Sequence, residues 1–194
     1  MTPIVFFNIC WMKEYKGITE NDKPIKGGRF VEEEGFGGEI YNFQPFKGRC
    51  YGFVEAGYKP HPRCINITRL GASTTASSVP GILVIWVARH PDEKRTVVVG
   101  WYKDATVHRA RQPSPVGSNR RLPNGEQAEY FVVTEEQNCK LVPAYNRNRD
   151  IPRGAQGLGQ KNVWYAERPL LYYIYSVEMV PPVVPSVLFQ RLTI

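Results

Sequence analysis

The chain has 194 residues, of which 42% are hydrophobic and 12% aromatic, which excludes a disordered chain and suffices for one domain with a buried core. Its 25 Lys and Arg against 18 Asp and Glu give a formal net charge of +7, which favours an anionic partner such as nucleic acid. The longest apolar run, residues 81–88, is too short to span a bilayer, and residues 1–12 lack the basic start and cleavage site of a signal peptide. We therefore expect a cytoplasmic protein without a membrane partner; its oligomeric state is left open.

Short apolar segments separated by Gly and Pro predict a mostly β chain with few helices. Residues 16–38 are polar and glycine-rich, which predicts a long surface loop. A turn is predicted at residues 44–48. The strands predicted in this half of the chain are residues 4–10, 40–43, 50–54 and 65–70.

A β-hairpin is the clearest element of the second half, with strands at residues 81–88 and 96–102 around a charged turn. Residues 105–109 are expected to extend its second strand. Residues 163–177 suit a helix or a strand equally, because their aromatic and apolar side chains fit both periods. Further short strands are predicted at residues 130–133 and 139–142, with basic loops at 111–125 and 145–160. The predicted domain covers residues 1–178, followed by a proline-rich tail or linker at residues 179–194.

Catalytic motifs are scarce, so whether the chain is an enzyme stays uncertain, and no catalytic residue, metal or cofactor is predicted. No two of the four cysteines have the spacing of a zinc ribbon or a thioredoxin-like motif. One alternative remains open, a metal-dependent enzyme whose site is assembled from scattered residues: Glu14, Cys50, His61 and Cys64.

Aromatic residues near predicted strand ends are candidates for a base-stacking pocket: Trp11, Tyr41, Phe43, Trp86, Trp101 and Tyr102. Most of them are expected in the core, since aromatics also fill barrel interiors. Both faces of the strand at residues 81–88 are apolar, which favours the core for Trp86. Trp101 and Tyr102 are adjacent in a strand, so they must point to opposite faces.

Cationic residues concentrate in and around two loops and are candidates for contacts with a nucleic-acid backbone. A solvated basic surface is an equally weighted alternative. These candidates are Lys103, Arg109, Arg111, Arg120, Arg121, Arg147, Arg149, Arg153 and Lys161.

Three segments in order, IYNFQ at residues 40–44, GILVIWVARH at 81–90 and VVVGWY at 97–102, resemble the EVE branch of PUA-like domains. The chain is also similar to the N-terminal region of bacterial proteins that carry a C-terminal HNH endonuclease domain, through GGRFV at residues 27–31, EIYNF at 39–43 and GWYKDATV at 100–107. In the order of its predicted elements, the resemblance covers residues 1–170.

The resemblance implies an α+β, mostly β, PUA-like fold of the EVE, YTH or SRA type: a small bent-sheet barrel with long loops and few short helices. It implies a DNA-binding module that flips a modified, typically methylated, base into an aromatic cage. Tyr41, Asn42 and Phe43 would form the pocket segment, and Trp86 and Trp101 would mark the two following strands. The chain would then be the sensing domain of a modification-dependent restriction system. An RNA-binding PUA-like module is the alternative.

Overall fold

The computed structural model describes residues 2–58, 60–154, 159 and 161–166. Over these residues the chain is mostly β with short helices, as predicted. The α-helix is α1 (Arg29–Glu34), and four 3₁₀ turns lie at Gly38–Tyr41, Ile67–Leu70, Glu136–Asn138 and Ala144–Asn146. The strands in chain order are β1 (Ile4–Ile9), β2 (Pro45–Phe46), β3 (Arg49–Gly52), β4 (Gly57–Tyr58), β5 (His61–Pro62), β6 (Ser78–Arg89), β7 (Thr96–Pro113), β8 (Glu129–Glu135), β9 (Cys139–Leu141) and β10 (Val163–Tyr165).

Eight of these strands form one sheet in the order β10-β1-β6-β7-β8-β3-β2, with β9 also paired to β7, and β4 pairs with β5 separately. β1 runs parallel to β6, and the other pairs are antiparallel. Among the described strands the order does not close into a barrel, because β10 and β2 are its two ends. The two ends nevertheless approach each other: Asn162, just before β10, donates a hydrogen bond to the carbonyl oxygen of Glu55, just after β3 (3.1 Å).

The hairpin of β6 and β7 confirms the predicted hairpin at residues 81–102 and forms the middle of the sheet. Both faces of β6 are buried, since Trp86 lies in the larger core cluster and Ile85 in the smaller one on the opposite face. The core position expected for Trp86 is therefore confirmed, with no exposed surface. Tyr102 and Trp101 take opposite faces as expected, because Tyr102 belongs to the larger cluster and Trp101 packs against the smaller one.

β7 is long enough to serve two partners on one edge, pairing with β9 at residues 100–102 and with β8 from residue 106 onward. Its register with β6 shifts around Ile82, where Gly81 (φ +73°) and Asp104 (φ +47°) both take left-handed backbone conformations. Such irregularities bend a strand and increase its twist. Beyond this irregularity β7 still pairs with β6 at Val107 and His108, and its last residues include Arg111 and Pro113 of the cavity described below.

Three predicted elements are wrong. Residues 40–43 and 65–70 were expected to be strands, but the chain there makes 3₁₀ turns at Gly38–Tyr41 and Ile67–Leu70. The first turn is held by hydrogen bonds between the Asn42 side chain and the backbone of Phe53. The second turn ends at Gly71 in the left-handed conformation, which a glycine adopts without a Cβ clash. The predicted surface loop at residues 16–38 contains α1.

The segment at residues 163–177, which suits a helix or a strand, begins as a strand in β10. Residues 167–178 and the predicted tail at residues 179–194 lie outside the described residues.

Arg147 joins the loop before β10 to the chain after β1, although it was predicted to contact nucleic acid. It is 2% exposed, and its guanidinium donates hydrogen bonds to the carbonyl oxygens of Val142 (2.9 Å), Met12 (2.6 Å) and Lys13 (2.7 Å). It also lies over the ring of Trp11, 4.7 Å from the centroid. A guanidinium placed in this way satisfies buried carbonyl groups that would otherwise lose their water partners.

We expect Arg147→Ala to lower the free energy of unfolding by about 3 kcal/mol, because buried carbonyl oxygens lose their donors and Trp11 loses its packing partner. Urea unfolding followed by tryptophan fluorescence measures this change. Arg149→Ala, in the same loop at a partly exposed position, is the matched control and should change stability by less than about 0.5 kcal/mol. Equal effects of the two substitutions would contradict the structural role of Arg147.

Candidate functional site

A cavity of about 930 Å³ lies where the two ends of the strand order approach each other. Its wall contains the end of β1, α1 with the turn that follows it, the chain after β3, the end of β7 and the start of β8. The loop at residues 122–127 and Asn162 complete it. The volume is near the upper end of the range found for small-ligand pockets.

Two asparagines connect the ends of the sheet at this cavity. The Asn162 amide nitrogen donates to the Glu55 carbonyl oxygen, so its amide oxygen faces Asn8, whose Nδ2 donates to it (3.2 Å). The Oδ1 atom of Asn8 is buried and has no hydrogen-bond partner among the described residues. A buried acceptor without a donor is costly, and this one belongs to a residue that lines the cavity.

Glu39 contributes a buried carboxyl group to the same wall. The side chain is 7% exposed, and its Oε1 accepts a hydrogen bond from the backbone N–H of Cys10 (2.9 Å). Gly37 makes room for this carboxyl, since a Cβ at that residue would lie 2.5 Å from Oε2 of Glu39. Burial raises the pKa of Glu39, and the hydrogen bond from Cys10 opposes that rise.

Asn42 holds the turn that carries Glu39 in place. Its side-chain amide donates to the carbonyl oxygen of Phe53 (2.9 Å), and its Oδ1 accepts from the Phe53 N–H (2.8 Å). The Tyr102 hydroxyl donates a hydrogen bond to the Asn42 carbonyl oxygen. The turn fits closely against Phe53, because a Cβ at Gly38 would lie 2.5 Å from that ring.

Phe30 on α1 is the exposed aromatic residue of the cavity, with 57% of its surface accessible. It lies edge-on to Phe36, with the ring centroids 5.6 Å apart. Gly28 and Gly35 flank the helix in left-handed conformations that favour glycine, and a Cβ at either would meet open space. The short helix thus presents a large apolar ring to solvent beside the cavity.

Charges of both signs line the cavity. Arg111 donates to both carboxylate oxygens of Glu55 (2.8 and 2.9 Å) and to Glu129 (3.2 Å), and it lies over the ring of Phe53 at 5.0 Å. Its charge is therefore balanced within the wall. Arg29 and Arg63 are exposed at the cavity, although Arg29 also pairs with Glu33. These two arginines are placed to meet an anionic group entering from solvent.

The predicted base-pocket residues do not line this cavity; five of the seven are buried elsewhere in the core. Tyr41 and Trp101 are partly exposed. Stacking on a base requires a ring face that a base can reach, and the buried residues offer none in this conformation. Those five are Trp11, Asn42, Phe43, Trp86 and Tyr102.

Six of the nine predicted backbone contacts donate hydrogen bonds within the protein itself, including Arg111 above and Arg121 below. Besides Arg147, Arg109 bonds the carbonyl oxygens of Ser73, Thr74 and Ala76 through its guanidinium. Arg120 is fully buried and bonds two carbonyl oxygens, and Arg153 donates to the Thr96 hydroxyl (2.5 Å).

The other predicted cations are spread over the surface rather than gathered at one place. Arg121 is exposed beside the loop at residues 122–127 and donates to the Gly125 carbonyl oxygen (3.1 Å). Lys161 is exposed and adjacent to Asn162, while Lys103 and Arg149 are partly exposed. Besides Arg111, which lines the cavity, Arg121 and Lys161 are each adjacent in sequence to a lining residue, Leu122 and Asn162.

Sequence reasoning missed the residues that define the cavity. Glu39 immediately precedes the predicted strand at residues 40–43, and Asn8 lies in the predicted first strand, yet neither was singled out. The available signals were the paired glycines at residues 27–28 and 37–38, which flank α1 and permit close approach. Phe30 and Arg63 had no signal, because an isolated Phe or Arg in a loop is ordinary.

The metal-dependent alternative finds no cluster in the part of the chain that the structure describes. There, no group of three or more His, Cys, Asp and Glu side chains is placed to hold a metal ion. Cys50 is buried in β3, and the backbone of Cys64 forms an isolated antiparallel β-bridge with that of Ala110.

Comparison of the chain with protein-family models, with curated proteins and with solved structures gives no match. Among the described helices, none has the length and apolar character needed to cross a membrane.

Protonation of Glu39 should affect stability with a definite sign. Its pKa in the folded protein is raised from the ordinary value of 4.5, so the folded state holds the proton more tightly than the unfolded chain. The stabilisation that this proton gives to the folded state is complete below the pKa that Glu39 has in the unfolded chain. It is lost as the pH rises through the pKa that Glu39 has in the folded protein. We therefore expect Glu39→Gln to gain stability relative to the wild type as the pH rises from 4.5 to neutral.

Urea unfolding of both proteins across this pH range measures the difference. Glu126→Gln removes one exposed carboxylate at the same cavity and controls for the change in net charge. Parallel responses of the two variants would contradict the assignment to Glu39.

Proposed function

We propose that the chain binds nucleic acid that carries a modified base and takes that base into the cavity. The observation that carries the proposal is the combination at one place of a 930 Å³ cavity, buried acceptor oxygens in its wall and an exposed aromatic ring beside it. The formal net charge of +7 supports a polyanionic partner. The PUA-like fold and the role as the sensing part of a modification-dependent restriction system belong to the same proposal and are supported by the resemblance alone. The proposed cytoplasmic location is supported by residues 1–12, which lack the pattern of a signal peptide.

The wall chemistry suits the edge of a nucleobase. Enzymes and binding proteins that extrude a base recognise it by hydrogen bonds to its edge and by stacking on aromatic side chains. Glu39 and Asn8 offer oxygens that accept from exocyclic amino or ring N–H groups. The apolar side chains of Val31, Phe36 and Phe53 offer a surface for an added alkyl group. The cavity therefore has both a polar side for the base edge and an apolar side for a substituent.

Phe30 is proposed as the stacking residue. A ring that is 57% exposed gains apolar contact when a base covers it, and stacking on an aromatic side chain is worth about 1–3 kcal/mol per base. Because the ring belongs to a short helix between two glycines, small rotations of α1 can adjust it to the base.

Arg63, Arg29 and Arg121 are proposed to contact the phosphates that flank the extruded base. All three are exposed and lie at the cavity or beside its loop. Arg109, Arg120 and Arg147 are assigned to the fold instead, because each guanidinium bonds two or three backbone carbonyl oxygens, whereas Arg121 is exposed and bonds one.

We expect the purified chain to bind one modified duplex more tightly than the matched unmodified duplex, and Phe30→Ala to weaken that binding about tenfold through lost stacking. Fluorescence anisotropy with matched duplexes carrying cytosine, 5-methylcytosine, 5-hydroxymethylcytosine or N6-methyladenine measures the preference. Arg63→Ala should weaken binding to all duplexes and reduce the salt dependence by about one phosphate contact. Single-stranded RNA of the same sequence tests the RNA alternative.

Glu39→Gln tests the edge contact. Since Oε1 of Glu39 accepts from the Cys10 N–H, the amide oxygen of a glutamine takes that place and its NH₂ replaces the second acceptor. The preference for the modified duplex should therefore fall while general binding stays.

Tyr145→Ala and Lys94→Ala are the matched controls, because Tyr145 is 87% exposed and neither residue lines the cavity. Equal binding to every duplex, unaffected by Phe30→Ala and Glu39→Gln, would overturn the base-recognition proposal. Tighter binding to RNA than to all duplexes would replace DNA with RNA as the partner.

A further inference from the structure

Arginines gather around one buried threonine at the open end of the β6–β7 hairpin. Thr96, the first residue of β7, is the cross-strand partner of Arg89 at the end of β6, so the two side chains leave the same face of the sheet. The Nε atom of Arg153 donates a hydrogen bond to the Thr96 hydroxyl (2.5 Å). A second guanidinium therefore lies at the strand end that carries Arg89.

The chain that precedes Arg153 adds a third arginine to this face. The Val98 N–H donates to the carbonyl oxygen of Arg149 (2.9 Å), and the Ile151 N–H donates to that of Thr96 (2.8 Å). In this antiparallel pattern Arg149 lies opposite Val98, and Ile151 lies opposite Thr96. Because Val98 and Ile151 both belong to the smaller core cluster, Arg149 and Thr96 share that face of the sheet.

No acidic side chain balances the three guanidinium groups among the described residues. None of them forms an ion pair there, and the bond to the Thr96 hydroxyl is the one side-chain hydrogen bond that they make. Glu93 and Asp150 are both paired with Arg95 (2.5 and 2.8 Å). Since Arg95 precedes Thr96 directly, it points away from the face that carries the three arginines. Asp92 is exposed in the turn and forms no ion pair within the described ranges.

Thr96 adds a polar group whose own hydrogen bonding is incomplete. Its side chain is 1% exposed, and its hydroxyl accepts from Arg153 but donates no bond within the described part of the chain. A buried hydroxyl proton without an acceptor is costly. Burial lowers the pKa of Arg153, and the charge of Arg89 lowers it further, because two like charges lie close together. An oxyanion between the guanidinium groups would balance these charges and accept the threonine proton.

We propose that Arg89, Arg149 and Arg153 form, with Thr96, a binding site for a doubly charged phosphate group. Guanidinium groups bind phosphate oxygens through paired N–H···O bonds. Three cations without an acid favour two negative charges over the single charge of a phosphodiester or a carboxylate. Free inorganic phosphate and the terminal phosphate of a nucleic-acid strand both supply this chemistry. None of the four residues lines the cavity, so the site is separate from the one in the proposed function.

The test is calorimetric titration of the purified chain with potassium phosphate in mildly alkaline buffer, where the phosphate carries two charges, at an ionic strength held constant with potassium chloride. We expect saturable binding, about tenfold weaker in Arg89→Gln and in Arg153→Gln, because each variant loses charge-assisted hydrogen-bond donors. Thr96→Val keeps the branched shape without the hydroxyl and should also weaken binding. Arg49→Gln is the control with the same change in net charge, because Arg49 is already paired with Glu135 (2.9 Å), and it should bind phosphate as the wild type does.

A second measurement distinguishes the two sources of the phosphate. Fluorescence anisotropy compares oligonucleotides of one sequence that carry a 5′-phosphate or a 5′-hydroxyl group. Tighter binding of the phosphorylated strand, lost in Arg89→Gln, assigns the site to a strand terminus. Equal binding of the two strands, together with saturable binding of inorganic phosphate, assigns it to free phosphate.

The proposal is overturned if neither inorganic phosphate nor the phosphorylated strand binds above its chloride or 5′-hydroxyl reference. Binding that persists unchanged in both Arg89→Gln and Arg153→Gln overturns it as well. Arg89 is exposed and has no side-chain partner among the described residues, so Arg89→Gln decides the outcome even if Thr96→Val does not fold. Inorganic phosphate carries no base, so base recognition by the cavity can fail without affecting this result.

Discussion

The pairing of the Asn42 side chain with the backbone of Phe53 is the contact on which the candidate site depends. Asn42 both donates to and accepts from the same residue, as a neighbouring strand would, and it thereby fastens the turn at Gly38–Tyr41 to the chain after β3. That turn sets Glu39 beside the end of β1, where the Cys10 N–H reaches its carboxyl. An apolar residue at position 42 would leave both Phe53 groups unpaired in the core, which is costly for buried backbone.

Side-chain bridges of this kind explain why the sheet, which does not close among the described strands, has a cavity at its open side. The chain before β10 is joined to the chain after β3 not by a strand ladder but by the side chain of Asn162, which bonds Glu55 and is supported by Asn8 of β1. Glu39 likewise joins the turn at Gly38–Tyr41 to Cys10 at the end of β1 through its side chain. Side-chain bridges are longer than a backbone ladder and leave space between the chains they join. The polar groups that replace the ladder therefore become the wall of the cavity, which is why it contains buried amides and a carboxyl.

The sequence was sufficient to predict the central hairpin, because the apolar run at residues 81–88 and its return strand have a period and composition that suit a strand buried on both faces. It was not sufficient for residues 40–43, whose aromatic composition is typical of a strand, because their conformation is decided by the distant partner Phe53. Glu39 was missed for a similar reason, since acids are rarely buried. The groups that accommodate its carboxyl are the backbone N–H of Cys10, which is distant in sequence, and Gly37, which has no side chain. Arginines that bond carbonyl oxygens cannot be told from phosphate-binding arginines by sequence, since every residue supplies the acceptor.

Arg120 fastens the turn beside the cavity to the sheet. Its Nη2 donates to the carbonyl oxygen of Tyr41, which ends the turn carrying Glu39, and to that of Tyr51 in β3. The guanidinium also lies 5.7 Å from the ring centroid of each of these two tyrosines, so aromatic faces and carbonyl oxygens together compensate a charge that has no exposed surface. A single buried side chain therefore holds two segments that no strand ladder joins, and its acceptors are backbone groups that every residue supplies, which is why its structural role could not be predicted from the sequence.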